Sequence, residues 1–123
     1  MPADPRGPLG REGEARAAEL LAGAGYAILA RNVRAGGVEL DLVAARGTLA
    51  IFVEVKTRRA RGCGAREEAV DARKRARLVR GAAAWLAAQP RRYARVRFDV
   101  VTCELRGGRW RLEHWPAAFD ASD

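Results

Sequence analysis

The spacing of apolar positions divides the chain into alternating helical and extended segments. From Leu9 to about Ala24 the pattern is helical, with Ala17, Leu20, Leu21 and Ala24 as its apolar stripe and Gly23-Ala24-Gly25 as its end. Tyr26–Val33 reads as a strand, followed by the turn Ala35-Gly36-Gly37. Val38–Ala44 and Leu49–Thr57 then alternate with period two and are rich in β-branched residues, so both read as strands. Gly47-Thr48 between them suits a two-residue hairpin loop with glycine first. Thr57–Arg66 is a basic, glycine-containing loop. A helix follows from about Glu67 to Gln89, with Val70, Leu78, Ala82, Trp85 and Leu86 as its buried row and Pro90 just beyond. Tyr93–Leu105, the turn Arg106-Gly107-Gly108-Arg109 and Trp110–Trp115 close the chain as two strands. The order is helix, three strands, helix, two strands, which predicts an α/β sandwich with a mixed central sheet. Residues 1–8, with three prolines and a glycine, read as a flexible arm; residues 9–123 read as a single domain.

The hairpin register gives this pattern chemical content. With Gly47 and Thr48 as the loop, facing residues have numbers summing to about 95, so Asp41 sits opposite Glu54 and Glu39 opposite Lys56. Alternation sends all four to one face and Leu40, Leu42, Ile51, Val53 and Val55 to the other. Charges alternating along an antiparallel sheet can simply be a solvated face. Two directly opposed carboxylates, however, repel each other, and a divalent cation removes that cost. A carboxylate pair beside an ammonium is also what metal-assisted phosphodiester hydrolysis uses: the ion engages the phosphate and activates water, while Lys56 orients that water or stabilises developing negative charge. Glu14 lies on the inward stripe of the first helix and aims at the same cluster, although a first-turn acid favoured by the helix dipole gives the same pattern. Lys74, between Val70 and Leu78, either snorkels to solvent or reaches a phosphate or an acid of the site.

Composition narrows the ion and the partner. There is a single histidine, His114, and Cys63 and Cys103 are far apart, which excludes Cys/His zinc motifs, His-cluster metal centres and a disulfide framework. A metal site must then be built from carboxylates and carbonyls, hence Mg²⁺ or Mn²⁺. A net charge of +8 favours a polyanion. Of the 23 basic residues only Lys56 and Lys74 are lysines, which singles them out as places where a compact ammonium matters. Arg58, Arg59, Arg61 and Arg66 follow Lys56 directly and could clamp phosphates. There is no apolar stretch of membrane-spanning length and no secretory h-region, so a cytoplasmic protein is expected.

Gly13-Glu14 with Ala17, Gly25-Tyr26 to Arg31-Asn32, Glu39-Leu40-Asp41-Leu42-Val43, Phe52-Val53-Glu54-Val55-Lys56-Thr57-Arg58, Lys74 and Arg97-Phe98-Asp99-Val100-Val101 together resemble the YraN-like family of bacterial proteins. The resemblance runs from about Gly10 to Phe119. It implies a restriction-endonuclease-like αβββαβ core with an extra C-terminal strand, related to Holliday-junction-resolvase-like folds. It also implies roles of the PD-(D/E)XK kind: Asp41, Glu54 and the Val55 carbonyl as metal ligands, Lys56 as the catalytic lysine, Glu14 as a helix acid, with Glu39 and Lys74 in support. The chain departs from the family where a glycine usually precedes the first acid, since Val38 stands before Glu39. The expected function is a divalent-metal-dependent endonuclease on DNA rather than RNA, with branched structures favoured and a homodimer suggested by the same analogy. The alternative is a nucleic-acid-binding accessory protein that keeps the fold without turnover; a basic interaction protein with a structural role leaves the carboxylates unexplained.

Overall fold

The computed structural model describes residues 7–59 and 72–121. Seven elements follow in order: α1 (Gly7–Gly23), β1 (Ala27–Ala35), β2 (Val38–Arg46), β3 (Leu49–Arg59), α2 (Ala72–Ala87), β4 (Arg95–Arg106) and β5 (Arg109–Phe119). This is the expected αβββαβ order with an added C-terminal strand. The expected arm falls on residues 1–6, outside the described residues, and on Gly7 and Pro8, which already belong to α1. Val70 and Cys63 also lie outside the described residues.

The five strands form one sheet in chain order, β1-β2-β3-β4-β5. The three hairpin pairs are antiparallel and β3–β4 is parallel, joined by the connection that carries α2. Gly47 opens the β2–β3 turn with φ 58°, the left-handed backbone that a glycine-first hairpin loop requires. The expected register holds from Arg46↔Leu49 to Leu42↔Val53. Arg58 and Arg59 belong to β3, paired with Glu104 and Leu105, rather than to a loop. Among the described residues no helix is long and apolar enough to cross a membrane.

Each face of the sheet carries one helix and one core. Ala17 and Leu21 of α1 pack on Leu42, Ile51, Val53, Val101 and Cys103. Leu78, Ala82 and Trp85 of α2 pack on Val38, Leu40, Phe52, Phe98 and Phe119. On α1 the buried stripe is Glu14, Ala17, Ala18 and Leu21, whereas Leu20 is exposed.

Leu40 therefore does not share a face with Leu42, as simple alternation predicts. Val43, Leu40 and Val38 all turn to α2, while Leu42 between them turns to α1, so the alternation of β2 resets at Asp41. The facing strand resets at the same level. Asn32 adopts φ 52°, Ala30 and Val33 both turn to α2, and the pairs Arg31↔Leu42 and Val33↔Leu40 survive on either side. Because both strands reset together, pairing continues while the side chains change faces.

Candidate metal and phosphate site

Asp41 stands where β2 and β3 stop pairing. The last paired residues are Leu42 and Val53. Beyond them Asp41 Oδ2 accepts the Val55 N–H at 2.9 Å, so a side chain replaces the main-chain acceptor that a continued ladder would supply. Glu39 consequently does not pair with Lys56. It lies between Val38 and Leu40, which both turn to α2, and it borders the cleft at its rim.

Glu54 is buried and follows Phe52 on the α2 side of β3. Its Oε1 forms an ion pair with Lys74 Nζ of α2. Of the two readings of Lys74, the one that reaches an acid of the site is the one observed, while the side chain as a whole remains half-exposed. Lys56, the next residue on that side of β3, makes no polar contact with the described residues. It stands roughly 7 Å along the strand from Glu54.

The electrostatics mark Asp41 as the perturbed group. Burial, then the charge of Glu54, push its carboxyl up to about 7; the Val55 N–H pulls it down, Glu14 adds to the rise and Lys74 opposes it. Glu14 is itself buried on α1, so Asp41 feels an acid from one helix layer and a cation from the other. Burial is the main cause of the rise, and the nearby acids add to it; a divalent cation beside the carboxyl would oppose both by favouring its ionised form.

Glu39, Asp41, Glu54 and Lys74 line a cleft of about 420 Å³ between β2 and the start of α2, whereas Glu14, Val55 and Lys56 are not part of its lining. Asp41 and Glu54 lie on the strand side; Arg73, Lys74 and Arg77 form the helix wall. Among the described residues no three His, Cys, Asp or Glu side chains converge as a metal group. The available donors are two carboxylates and the Val55 carbonyl. That set fits Mg²⁺, which keeps waters and substrate phosphate in its shell and uses only one or two carboxylates. Arg58 and Arg59 end β3, whereas Arg61 and Arg66 lie outside the described residues. A larger groove of about 520 Å³ lies between α2, the start of β4 and residues 117–121, and carries none of these acids.

One cluster escaped sequence reasoning. Asp99 is fully buried on the α1 face and accepts two bonds from Arg97 (2.8 and 2.7 Å), one from His114 Nε2 (2.7 Å) and one from the Ala117 N–H (3.0 Å). Burial pushes its carboxyl up, but these donors outweigh burial and hold it below the usual carboxylate range. Arg97 also donates to the Tyr26 hydroxyl at 2.9 Å, tying the start of β1 to β4 and β5. The only signal was the Arg-Phe-Asp run, and its partners Tyr26 and His114 are far away in sequence. Cys103 Sγ bonds to the Gly13 carbonyl, and burial raises its thiol to about 11, so it is an inert core group.

Residues 13–103 match the family model described as "Uncharacterised protein family UPF0102", which corresponds to the YraN-like resemblance. The chain is 45% identical over 120 residues to a UPF0102 protein of Nitratidesulfovibrio vulgaris, covering 98% of this chain and 90% of the relative. Similar proteins occur in Anaeromyxobacter dehalogenans (44% identical, 95% of this chain and 87% of the relative) and Symbiobacterium thermophilum (49%, 78% and 81%).

Proposed function

The chain belongs to the uncharacterised protein family UPF0102, and we propose that its cleft is a divalent-metal-dependent centre that hydrolyses phosphodiester bonds in DNA. The observation that carries this reading is the Asp41–Glu54 pair, two crowded acids beneath a wall of cations. Asp41, Glu54 and the Val55 carbonyl would hold Mg²⁺ or Mn²⁺, which supplies charge neutralisation at the phosphate and activation of water. Lys56 lies on the same side of β3 as Glu54 with its ammonium uncommitted among the described residues, suited to orient the attacking water or stabilise charge on the phosphate. Arg73 and Arg77 hold the substrate backbone along α2.

The test compares wild type with Asp41→Ala and Lys56→Ala on linear, flapped and four-way DNA in Mg²⁺ and Mn²⁺. Cleavage should fall by about 100-fold or more in each variant, with Lys56→Ala still binding DNA. Activity that survives both substitutions belongs to a contaminant and sinks the reading.

One observation favours a second reading, a binding module without turnover. Lys74 already neutralises Glu54, and a cation fixed there competes with a metal. DNA binding without cleavage in any metal would select it.

A further inference from the structure

The α2-side face of the sheet continues past α2 as a polar, basic surface, and it carries one exposed aromatic ring. Glu54, Val100 and Trp115 form a single row across β3, β4 and β5. Val100 is buried in the core beneath α2, whereas Trp115 is 37% exposed. The next row is Lys56, Thr102 and Glu113, and the one after it Arg58, Glu104 and Arg111. Among the described residues of these rows and the next, the five cations Lys56, Arg58, Arg106, Arg109 and Arg111 outnumber the three acids Glu54, Glu104 and Glu113, which gives them a positive balance.

Trp115 is held in a particular pose. Its indole Nε1 donates to Thr102 Oγ1 at 3.3 Å, and Thr102 is its diagonal neighbour on β4. That bond leans the ring across the sheet towards β4 instead of leaving it upright and free. The ring stands two strands from Glu54, about 10 Å at ordinary strand spacing. A tethered, part-exposed aromatic on a basic sheet face is the arrangement on which unpaired bases stack.

We infer that Trp115 is a base-stacking platform, and that the preferred ligand is a nucleic acid with an unpaired nucleotide next to the phosphate held in the cleft. Charge and stacking then divide the work: Arg73, Arg77 and the sheet arginines bind backbone of any kind, and Trp115 selects strands whose bases are free. A fully paired duplex keeps its bases stacked inside the helix and offers the ring nothing. The inference rests on the cleft being a nucleic-acid site, and it is independent of turnover.

The experiment is binding in EDTA, by anisotropy, of a labelled single strand and of its blunt duplex to wild type, Trp115→Ala and Trp115→Phe. Trp115→Ala should weaken single-strand binding about tenfold, the scale of one base–aromatic stack, and leave the duplex within about twofold. Trp115→Phe, which keeps a π-face but loses the Nε1 bond to Thr102, should recover part of the loss. Matched thermal melts of the three proteins check that the fold is intact. Unchanged single-strand affinity in Trp115→Ala overturns the inference, as does an equal loss on both ligands. Cleavage that is absent in every metal, with Trp115-dependent strand binding, would remove the hydrolytic reading and leave this one standing; DNA cleavage with Trp115-independent binding would do the reverse.

Discussion

Gly13 of α1 and Thr57 of β3 touch so closely that a Cβ at position 13 would lie 2.2 Å from Thr57 Oγ1 and 2.7 Å from its Cγ2. The helix thereby rests directly on the strand, one residue from Lys56. Gly13→Ala should destabilise the fold by about 1–3 kcal/mol, the cost of overpacking a site that cannot relax. In Thr57→Ala those two outer atoms are gone, so the double variant should recover part of the loss. Urea denaturation of all four members of the cycle gives the coupling; strict additivity would refute the contact.

Asp41 predicts a pH dependence of opposite sign to ordinary acid unfolding. Its carboxyl is raised from 3.8 to about 7 in the folded protein, so the folded state holds the proton more tightly than the unfolded chain. The associated stability is complete below about pH 4 and is lost as pH rises through about 7. Asp41→Asn, which keeps an acceptor for the Val55 N–H, should exceed wild type by roughly 2–4 kcal/mol at pH 8 and lose that advantage towards pH 4. Adding Mn²⁺ at pH 8 should stabilise wild type and leave Asp41→Asn unmoved. Equal unfolding curves at pH 8 would contradict this.

Asp99 predicts the ordinary sign. Its carboxyl is held below 3.8, so its contribution is present above about pH 4 and is lost as pH falls further. Asp99→Ala leaves Arg97 and His114 without their shared partner and should cost about 3–5 kcal/mol at pH 7. A loss under about 1 kcal/mol in denaturant titration would show the network to be dispensable.

The cations of the cleft wall predict a salt effect. DNA affinity should fall steeply with ionic strength, and Arg73→Ala/Arg77→Ala should reduce the slope of log K against log salt by roughly 2, about one for each phosphate no longer neutralised. A slope identical to wild type would place the backbone elsewhere.

Much of the site was legible because period-two alternation and one glycine fix a hairpin register. Gly47 sets Leu42 against Val53, but the ladder stops there, so Asp41 and Glu54 are neighbours just past its end and not the opposed rung that the register predicts. The reset at Asp41 was not legible, since Leu40 and Leu42 are both apolar and a binary pattern cannot say which of two cores each enters. Arg58 and Arg59 looked like loop residues by composition, yet pairing with Glu104 and Leu105 overrides that preference. The Asp99 network stayed hidden because it is assembled from Tyr26, Arg97 and His114, which nothing local connects.

The Val55 amide has a practical consequence. Its proton is held by the Asp41 carboxylate and not by a strand partner, so its nitrogen and proton frequencies in an NMR spectrum become a gauge of the carboxylate itself. A pH titration of that single cross-peak would trace the ionisation of Asp41, and a Mg²⁺ titration would follow any loading of the cleft. Both would be read in the resting protein, with no substrate present.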